Sequence, residues 1–292
     1  MVVVKLFGGL GNQLFQYSFG KYLANQLNTS VRFDVQTDVI LSNFTPRGLG
    51  LSAFNIKIDL ATNENINEMK FFSNGFFEKV ERKVTQKFPS LRNTYFVESL
   101  SHRLIEPMFI RDNCYYEGYW QAYEYLTLNE KICFNSDILA GSNISGNQIE
   151  LINEIKTTDS VSLHIRRGDY ISIKVNSKIF QICTLDYYQN AIAFIEKKIE
   201  NPVFFVFSDE IEWAKENLRG DNFVFVTGNE PSTDLYFMSL CKHNIIANST
   251  FSWWGAWLNQ DRNKIVIAPN QWYVGELNDS FRNLIPQCWI RI

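Results

Sequence analysis

From residue 160 onward, short apolar runs alternate with helical patterns. The runs are "SVSLHI", "PVFFVFSD", "NFVFVTG", "NIIANS" and "KIVIAP", and the stretches among them are "LDYYQNAIAFIEKKI", "EIEWAKENL", "TDLYFMSLC" and "FSWWGAWL". The runs are almost continuously β-branched or aromatic rather than alternating with polar residues. That composition suits strands buried on both faces, and the intervening helices supply the crossovers of a parallel sheet. In open sheets of this kind ligands bind outside the carboxyl ends of the strands. The residues that end each run are therefore the ones to weigh: His164, Arg166 and Arg167; Ser208 and Asp209; Thr227 and Gly228; Asn248, Ser249 and Thr250.

The amino-terminal part opens in the same way, with "VVVKLF", the loop "GGLGN", a helical pattern over "QLFQYSFGKYLANQL" and a second strand, "VRFDV". Between about 40 and 150 the pattern is weaker. One helix is expected over "NEMKFFSNGFFEKVERKV", followed by the aromatic cluster "CYYEGYWQAYEYL". A Gly-, Ser- and Asn-rich seam near 140–158 suggests two α/β, Rossmann-like domains, 1–155 and 156–292, facing each other across a cleft.

Two arginines after "HI" in "HIRRGDY" have no place in a core. One reading is a surface ion pair, Arg167 with Asp169 for example, which is worth little; the strand-end position favours capture of an anion. His164 lies deeper and reads equally as a satisfied core histidine. In "ANSTFSWWGAWL", Ser249, Thr250 and Ser252 stand where a helix would start. One suffices as a cap, so contact with phosphate oxygens is the added expectation. Trp253 and Trp257 share a helix face and are read as packing. Together the strand-end residues provide fork-shaped cations, hydroxyls and a carboxylate, the complement of a nucleoside diphosphate. In "GGLGNQLFQY" the glycines and Asp34 approach a dinucleotide fingerprint, but Leu14 occupies the third glycine position. A loop offering Asn12 and Gln13 as hydrogen-bonding tips fits as well. Tyr119, Trp120 and Gln121 of "EGYWQ" read as a sugar platform or as a buried aromatic strand.

Composition narrows the classes. A net charge of −3 with scattered basic residues argues against nucleic-acid binding. The opening reads as lacking a signal peptide, no window has the length of a membrane span, and five scattered cysteines suit reduced thiols in the cytoplasm. There is no D-x-D triplet, P-loop or G-x-S-x-G elbow, so no metal or other cofactor is expected, and kinase and hydrolase chemistries find no support. Two rivals remain: a nicotinamide oxidoreductase built on Asp34, and a non-catalytic nucleotide- or sugar-binding protein.

Taken together, "GGLGNQLFQY", "GYWQ", "HIRRGDY" and "ANSTFSWWGAWL" resemble, in order and spacing along nearly the whole chain, the bacterial α-1,2-fucosyltransferases of glycosyltransferase family 11. The resemblance implies a GT-B fold with an acceptor-side first domain and a GDP-fucose-binding second one. It implies inverting, metal-independent transfer of L-fucose from GDP-β-L-fucose to the 2-hydroxyl of a galactoside in surface-polysaccharide or O-antigen synthesis, that is, a galactoside 2-alpha-L-fucosyltransferase, with a fucosyltransferase of another linkage as the alternative. The partners implied are the nucleotide sugar and an oligosaccharide or lipid-linked acceptor, with peripheral contact at the inner face of the cytoplasmic membrane. By the same resemblance Arg166 is the pyrophosphate arginine, Arg167 its neighbour, and Asp169 a brace or donor contact. His164 and Asp209 match guanine contacts; Ser249, Thr250 and Phe251 match the stretch around the β-phosphate and base, with Ser208 and Asn248 beside them. Gly9, Asn12 and Gln13 match the loop over the donor sugar. Glu117, Tyr119, Trp120 and Gln121 are acceptor-side candidates. No general base is identifiable, Glu117 and Asp34 being the only carboxylates offered.

Overall fold

The structure is a computed structural model that describes residues 1–35, 49–70, 75–99, 104–127, 132, 145–172, 178–276, 278 and 283–292; the side chains of Thr127, Asp169 and Ser172 lie outside that description. The chain divides into two compact units, Met1–Ile132 with Ser280–Ile285, and Cys133–Asp279 with Pro286–Ile292. Both are α/β with parallel sheets, the two-unit class that the alternating pattern predicts.

The first unit holds β1 (Val2–Lys5), α1 (Leu10–Leu27), β2 (Val31–Asp34), α2 (Asn63–Met69), α3 (Phe76–Lys87), β3 (Tyr95–Val97), β4 (Tyr115–Glu117) and α4 (Glu124–Thr127). Its sheet order is β2-β1-β4-β3, all parallel. Valines 2 to 4 are fully buried because the sheet is covered on both sides. Val3, Tyr95, Val97 and Tyr115 pack with Ile66 and Met69 of α2 on one face. On the other, Phe19 of α1 lies edge-on to Tyr116 and stacks on Trp120 at 3.9 Å. The single helix expected over "NEMKFFSNGFFEKVERKV" is two helices, α2 and α3, with 71–74 outside the described residues.

The second unit holds α5 (Gly146–Thr157), β5 (Asp159–Ile165), α6 (Gly168–Ser172), α7 (Leu185–Glu196), β6 (Pro202–Ser208), α8 (Ile211–Asn217), β7 (Phe223–Val226), α9 (Pro231–Leu240), β8 (His243–Ile245), α10 (Thr250–Leu258), β9 (Val266–Ala268) and β10 (Ile290–Arg291). The sheet order is β10-β9-β8-β5-β6-β7. β6 shows how the sequence builds two layers. Phe204 and Val206 enter the core formed with Tyr188, Ala191 and Ile195 of α7. Phe205 and Phe207, one residue out of phase, enter the core formed with Ile155 of α5 and Phe237 and Met238 of α9. Helix α5 thus belongs to the second unit, whereas the sequence boundary at 155/156 places most of it in the first; its capping box, Ser145 with Gln148, was the available signal. Where α9 meets α10, a Cβ on Gly255 would lie 2.8 Å from that of Met238, so this close packing requires glycine.

Candidate functional site

In the second unit β5 lies between β6 and β8. The chain builds β5, β6 and β7 outward in one direction and then returns to place β8 on the other side of β5, so the strand order reverses between β5 and β8. That reversal opens a crevice at the carboxyl ends of the two strands. It is there that "HIRRGDY" and "ANSTF" come together. The Tyr170 hydroxyl donates to the Asn248 carbonyl at 3.0 Å, and the His164 and Phe251 rings are 5.7 Å apart.

β6 supplies the brace. Arg166 Nη1 pairs with Asp209 Oδ2 at 3.2 Å, with the arginine side chain 19% exposed. The Arg167 and Gly168 amides donate to the same carboxylate at 3.0 and 3.2 Å. One carboxylate thus fixes both the guanidinium and the turn that carries it. Asp209 is accordingly a brace within the protein rather than an open guanine contact, the role expected of Asp169, whose side chain lies outside the described residues. Arg167 stacks on Trp213 at 4.0 Å, and its Nε pairs with Glu210 at 3.1 Å. The expected pairing of Arg167 with Asp169 lies outside the described side chains. Arg166 is the better placed of the two for an anion.

Ser249 caps α10, its Oγ accepting from the Phe251 amide at 3.3 Å, as the sequence suggests. Thr250 and Phe251 form the first turn of α10, whose amides make the helix start favourable for phosphate. Ser208 Oγ accepts from the Glu210 amide at 2.9 Å. Asn248 departs from expectation. It is fully buried, its Nδ2 donates to the carbonyls of Gln181 and Trp272, and its Oδ1 accepts from the Cys183 thiol. It ties three segments together and has no exposed group to offer a donor.

His164 is buried on β5, and its Nδ1 has no hydrogen-bond partner among the described residues. Burial, with a smaller contribution from the Arg166 charge, pulls its pKa down to about 3, so the imidazole is neutral at physiological pH. An unfolded histidine takes up a proton below its ordinary 6.5 and the folded one does not, so this residue favours the fold above that pH and opposes it as pH falls toward 3. If the crevice takes GDP, as the resemblance implies, His164→Ala is expected to weaken its binding by on the order of tenfold in calorimetric titration, the effect of losing one buried hydrogen bond. Unchanged affinity would leave His164 a core residue only.

The first unit has its own strand reversal, between β1 and β4, and it brings together the other two motifs. Gln121 Nε2 donates to Asn12 Oδ1 at 2.9 Å, Gln16 Nε2 to the Gly118 carbonyl at 3.2 Å, and the Phe7 and Tyr119 rings are 4.9 Å apart. Gly8 takes φ 76°, a left-handed turn, and the Gly9 carbonyl accepts from the Asn12 and Gln13 amides to start α1. Gln13 is not an exposed tip. It is buried, with Nε2 donating to the Gly8 carbonyl at 3.0 Å and Oε1 accepting from the Gly50 amide at 3.0 Å.

Three acceptor-side candidates are corrected by burial. Trp120 is 1% exposed and stacked on Phe19, so its ring cannot serve as a sugar platform. Gln121 is buried and directed at Asn12. Glu117 receives the Tyr95 hydroxyl at 2.6 Å and pairs with Arg82 at 2.8 Å and Lys5 at 3.6 Å. Burial acts to raise its pKa, but Lys5, Arg82, Tyr95 and Lys70 together outweigh it and hold the carboxyl below the ordinary range. Asp34, fully buried, accepts from the Tyr115 hydroxyl at 2.6 Å, which also engages the carboxylate that a dinucleotide reading would need for a ribose.

The sequence gives no hint of Glu98. Its Oε2 accepts from the Tyr119 and Trp120 amides at 2.6 and 3.2 Å, holding the "GYWQ" turn where Trp120 takes φ 55°. Burial pushes its pKa up from 4.5 to about 7, against the two amides. Between those values the folded state keeps a proton that the unfolded chain has lost. This contribution to stability is therefore complete below the lower value and lost as pH rises through the upper one. Glu98→Gln cannot titrate. Urea midpoints are expected to show wild type losing stability relative to this variant from about pH 5 to about pH 8, and a constant difference would contradict the assignment.

The family model of glycosyl transferase family 11 matches residues 1–292. An alpha-1,2-colitosyltransferase from Escherichia coli is 37% identical over 301 residues, covering 100% of this chain and 99% of that protein. The O-antigen biosynthesis glycosyltransferase WbnK from Escherichia coli is 33% identical, covering 98% and 99%. A galactoside alpha-(1,2)-fucosyltransferase 2 from Bos taurus is 30% identical over 112 residues, covering 37% and 33%. Among solved structures, NodZ alpha-1,6-fucosyltransferase soaked with GDP-fucose is similar with a TM-score of 0.50 at 12% identity, covering 87% of this chain and 90% of that one. At that identity the likeness concerns the fold alone.

Proposed function

Because the chain belongs to glycosyltransferase family 11, we propose that it is an inverting α-1,2-fucosyltransferase moving L-fucose from GDP-β-L-fucose to the 2-hydroxyl of a terminal galactoside. The observation that carries this reading is the meeting of "HIRRGDY" and "ANSTF" at the second unit's strand reversal, with Arg166 fixed by Asp209 and, beside them, a His164 nitrogen that has no partner among the described residues. A guanidinium and a helix start suit a diphosphate, and a neutral imidazole suits a base edge. The first unit's turn, with Asn12 and Tyr119, takes the sugar-facing and acceptor roles. The relative named for O-antigen biosynthesis, WbnK, supports a surface-glycan acceptor.

In the reaction the acceptor's 2-hydroxyl oxygen forms its bond to C1 as the bond from C1 to the phosphate oxygen breaks, GDP leaves with the electron pair, and the hydroxyl proton passes to solvent water. Negative charge grows on the β-phosphate. Arg166 and the first turn of α10 meet that charge with fixed donors, which are most effective when they need no reorganisation. No metal is required in this scheme. Glu117 and Asp34 are held by Lys5, Arg82, Tyr95 and Tyr115, so neither is proposed as the base.

A second reading is favoured by the 37% identity to a colitosyltransferase. Colitose is L-fucose without its 3-hydroxyl. A site that hydrogen-bonds that hydroxyl discriminates strongly between the two donors, and an apolar site hardly does so. The test is incubation with GDP-fucose or GDP-colitose and a panel of β-galactosides in EDTA, with the product linkage assigned by NMR. An α-1,2-fucosylated product supports the proposal. Transfer from GDP-colitose alone, or a different linkage, overturns it.

A further inference from the structure

Helix α3 is packed inside out. Its buried face is polar: Glu78, Glu81 and Thr85 point into the first unit, where Glu78 binds Lys70 at 2.7 Å and Glu81 pairs with Arg92. Its apolar residues face outward. Phe76 and Phe77 are 74% and 62% exposed, and Val80 and Val84, one and two turns on, are exposed as well. The stripe continues through Phe88 and Leu91 in the short turn that follows. Lys79, Lys83 and Lys87 flank it, all exposed. A globular protein normally turns the apolar face of a surface helix toward its core, and an outward-facing row of aromatic and branched residues marks an interaction surface.

We propose that this face docks the first unit onto an anionic phospholipid bilayer, with α3 lying in the interface plane. Phe76, Phe77, Val80 and Val84 enter the headgroup boundary, and the flanking lysines meet lipid phosphates, the arrangement of an interfacial amphipathic helix. The charges favour this occupant over a second copy of the chain. Both acids of the helix are buried in ion pairs, so its outward face carries cations only. A symmetric pair of such helices would set lysines against lysines, whereas an acidic membrane neutralises them. The inference is independent of the donor sugar.

The test is co-sedimentation of the full chain with vesicles of phosphatidylcholine alone or mixed equally with phosphatidylglycerol. The protein is expected to pellet with the anionic vesicles only, and less at high salt. The partition coefficient is expected to fall by on the order of tenfold or more in Phe76→Ser/Phe77→Ser and in Lys79→Glu/Lys83→Glu. These side chains lie outside the core, so the melting temperature and turnover on a soluble galactoside should stay at the wild-type level in both variants. Absence of pelleting in the wild type, or pelleting that both variants retain, overturns the proposal. So does a concentration-dependent dimer in light scattering that Phe76→Ser/Phe77→Ser abolishes, which would assign the face to a second copy.

Discussion

Arg166→Ala is expected to lower kcat by on the order of a hundredfold or more, with a far smaller effect on stability. The magnitude follows from removing a fixed donor aimed at charge that grows as the leaving group departs, worth about 2.7–4 kcal/mol in comparable oxyanion sites. The side chain is 19% exposed and pairs with Asp209 at the crevice, so its loss opens no core cavity. Arg166→Lys is expected to fail nearly as badly. An ammonium retains the charge but cannot hold Asp209 and a phosphate oxygen at once with a planar fork. Steady-state kinetics with circular dichroism as the control decide the matter, and near-wild-type turnover of the lysine variant would refute the role given to Arg166.

The second large effect concerns stability. Asn244→Ala is expected to cost the second unit about 3 kcal/mol or more. Asn244 is fully buried in β8. Its Nδ2 donates to Ser162 Oγ at 2.7 Å and to the Met238 carbonyl at 2.9 Å, and its Oδ1 accepts from Asn259 at 2.8 Å. Truncation removes the donor from two buried acceptors, Ser162 Oγ and the Met238 carbonyl, each worth about 1–3 kcal/mol when left unpaired, while Asn259 loses one acceptor and keeps its bond to the Cys241 carbonyl at 2.7 Å. The same residue joins β8 to β5, the strands whose ends form the candidate site. Six of the seven tryptophans (Trp213, Trp253, Trp254, Trp257, Trp272 and Trp289) belong to the second unit, so intrinsic fluorescence in urea reads its unfolding directly. A midpoint within error of wild type would show that the network contributes little.

The second unit was legible because its central strands are long and strongly apolar and its short ones, β8 and β9, lie in apolar runs set apart by helices. β5 and β6 each run seven residues, and helices 12 and 10 residues long separate the later strands clearly enough for periodicity to register. β3 and β4 are three residues each, too short for a period of two to stand out against the surrounding aromatics. The candidate anion residues were legible too, because strand ends in a parallel sheet are identifiable before the sheet is seen. What the sequence did not reveal was which polar groups are already engaged. Arg167 and Asp209 are 42 residues apart, Gln16 and Gly118 are 102 apart, and Glu98 binds its turn from 21 residues away. Such pairings depend on strand order, which no local pattern encodes. Hence Asp209, Asn248, Gln13 and Glu117, all plausible as ligand contacts by residue type, are occupied within the fold.

The inversion of α3 follows the same lesson in reverse. Its pattern is that of an ordinary amphipathic helix, and only the ion pairs of Glu78 and Glu81 show which side is buried.

The measurement closest to the heart of this account is a crystal structure of the protein grown with GDP. It should place a β-phosphate oxygen about 2.7–2.9 Å from the Arg166 guanidinium at the start of α10. A diphosphate bound elsewhere, with Arg166 still turned wholly to Asp209, would contradict it.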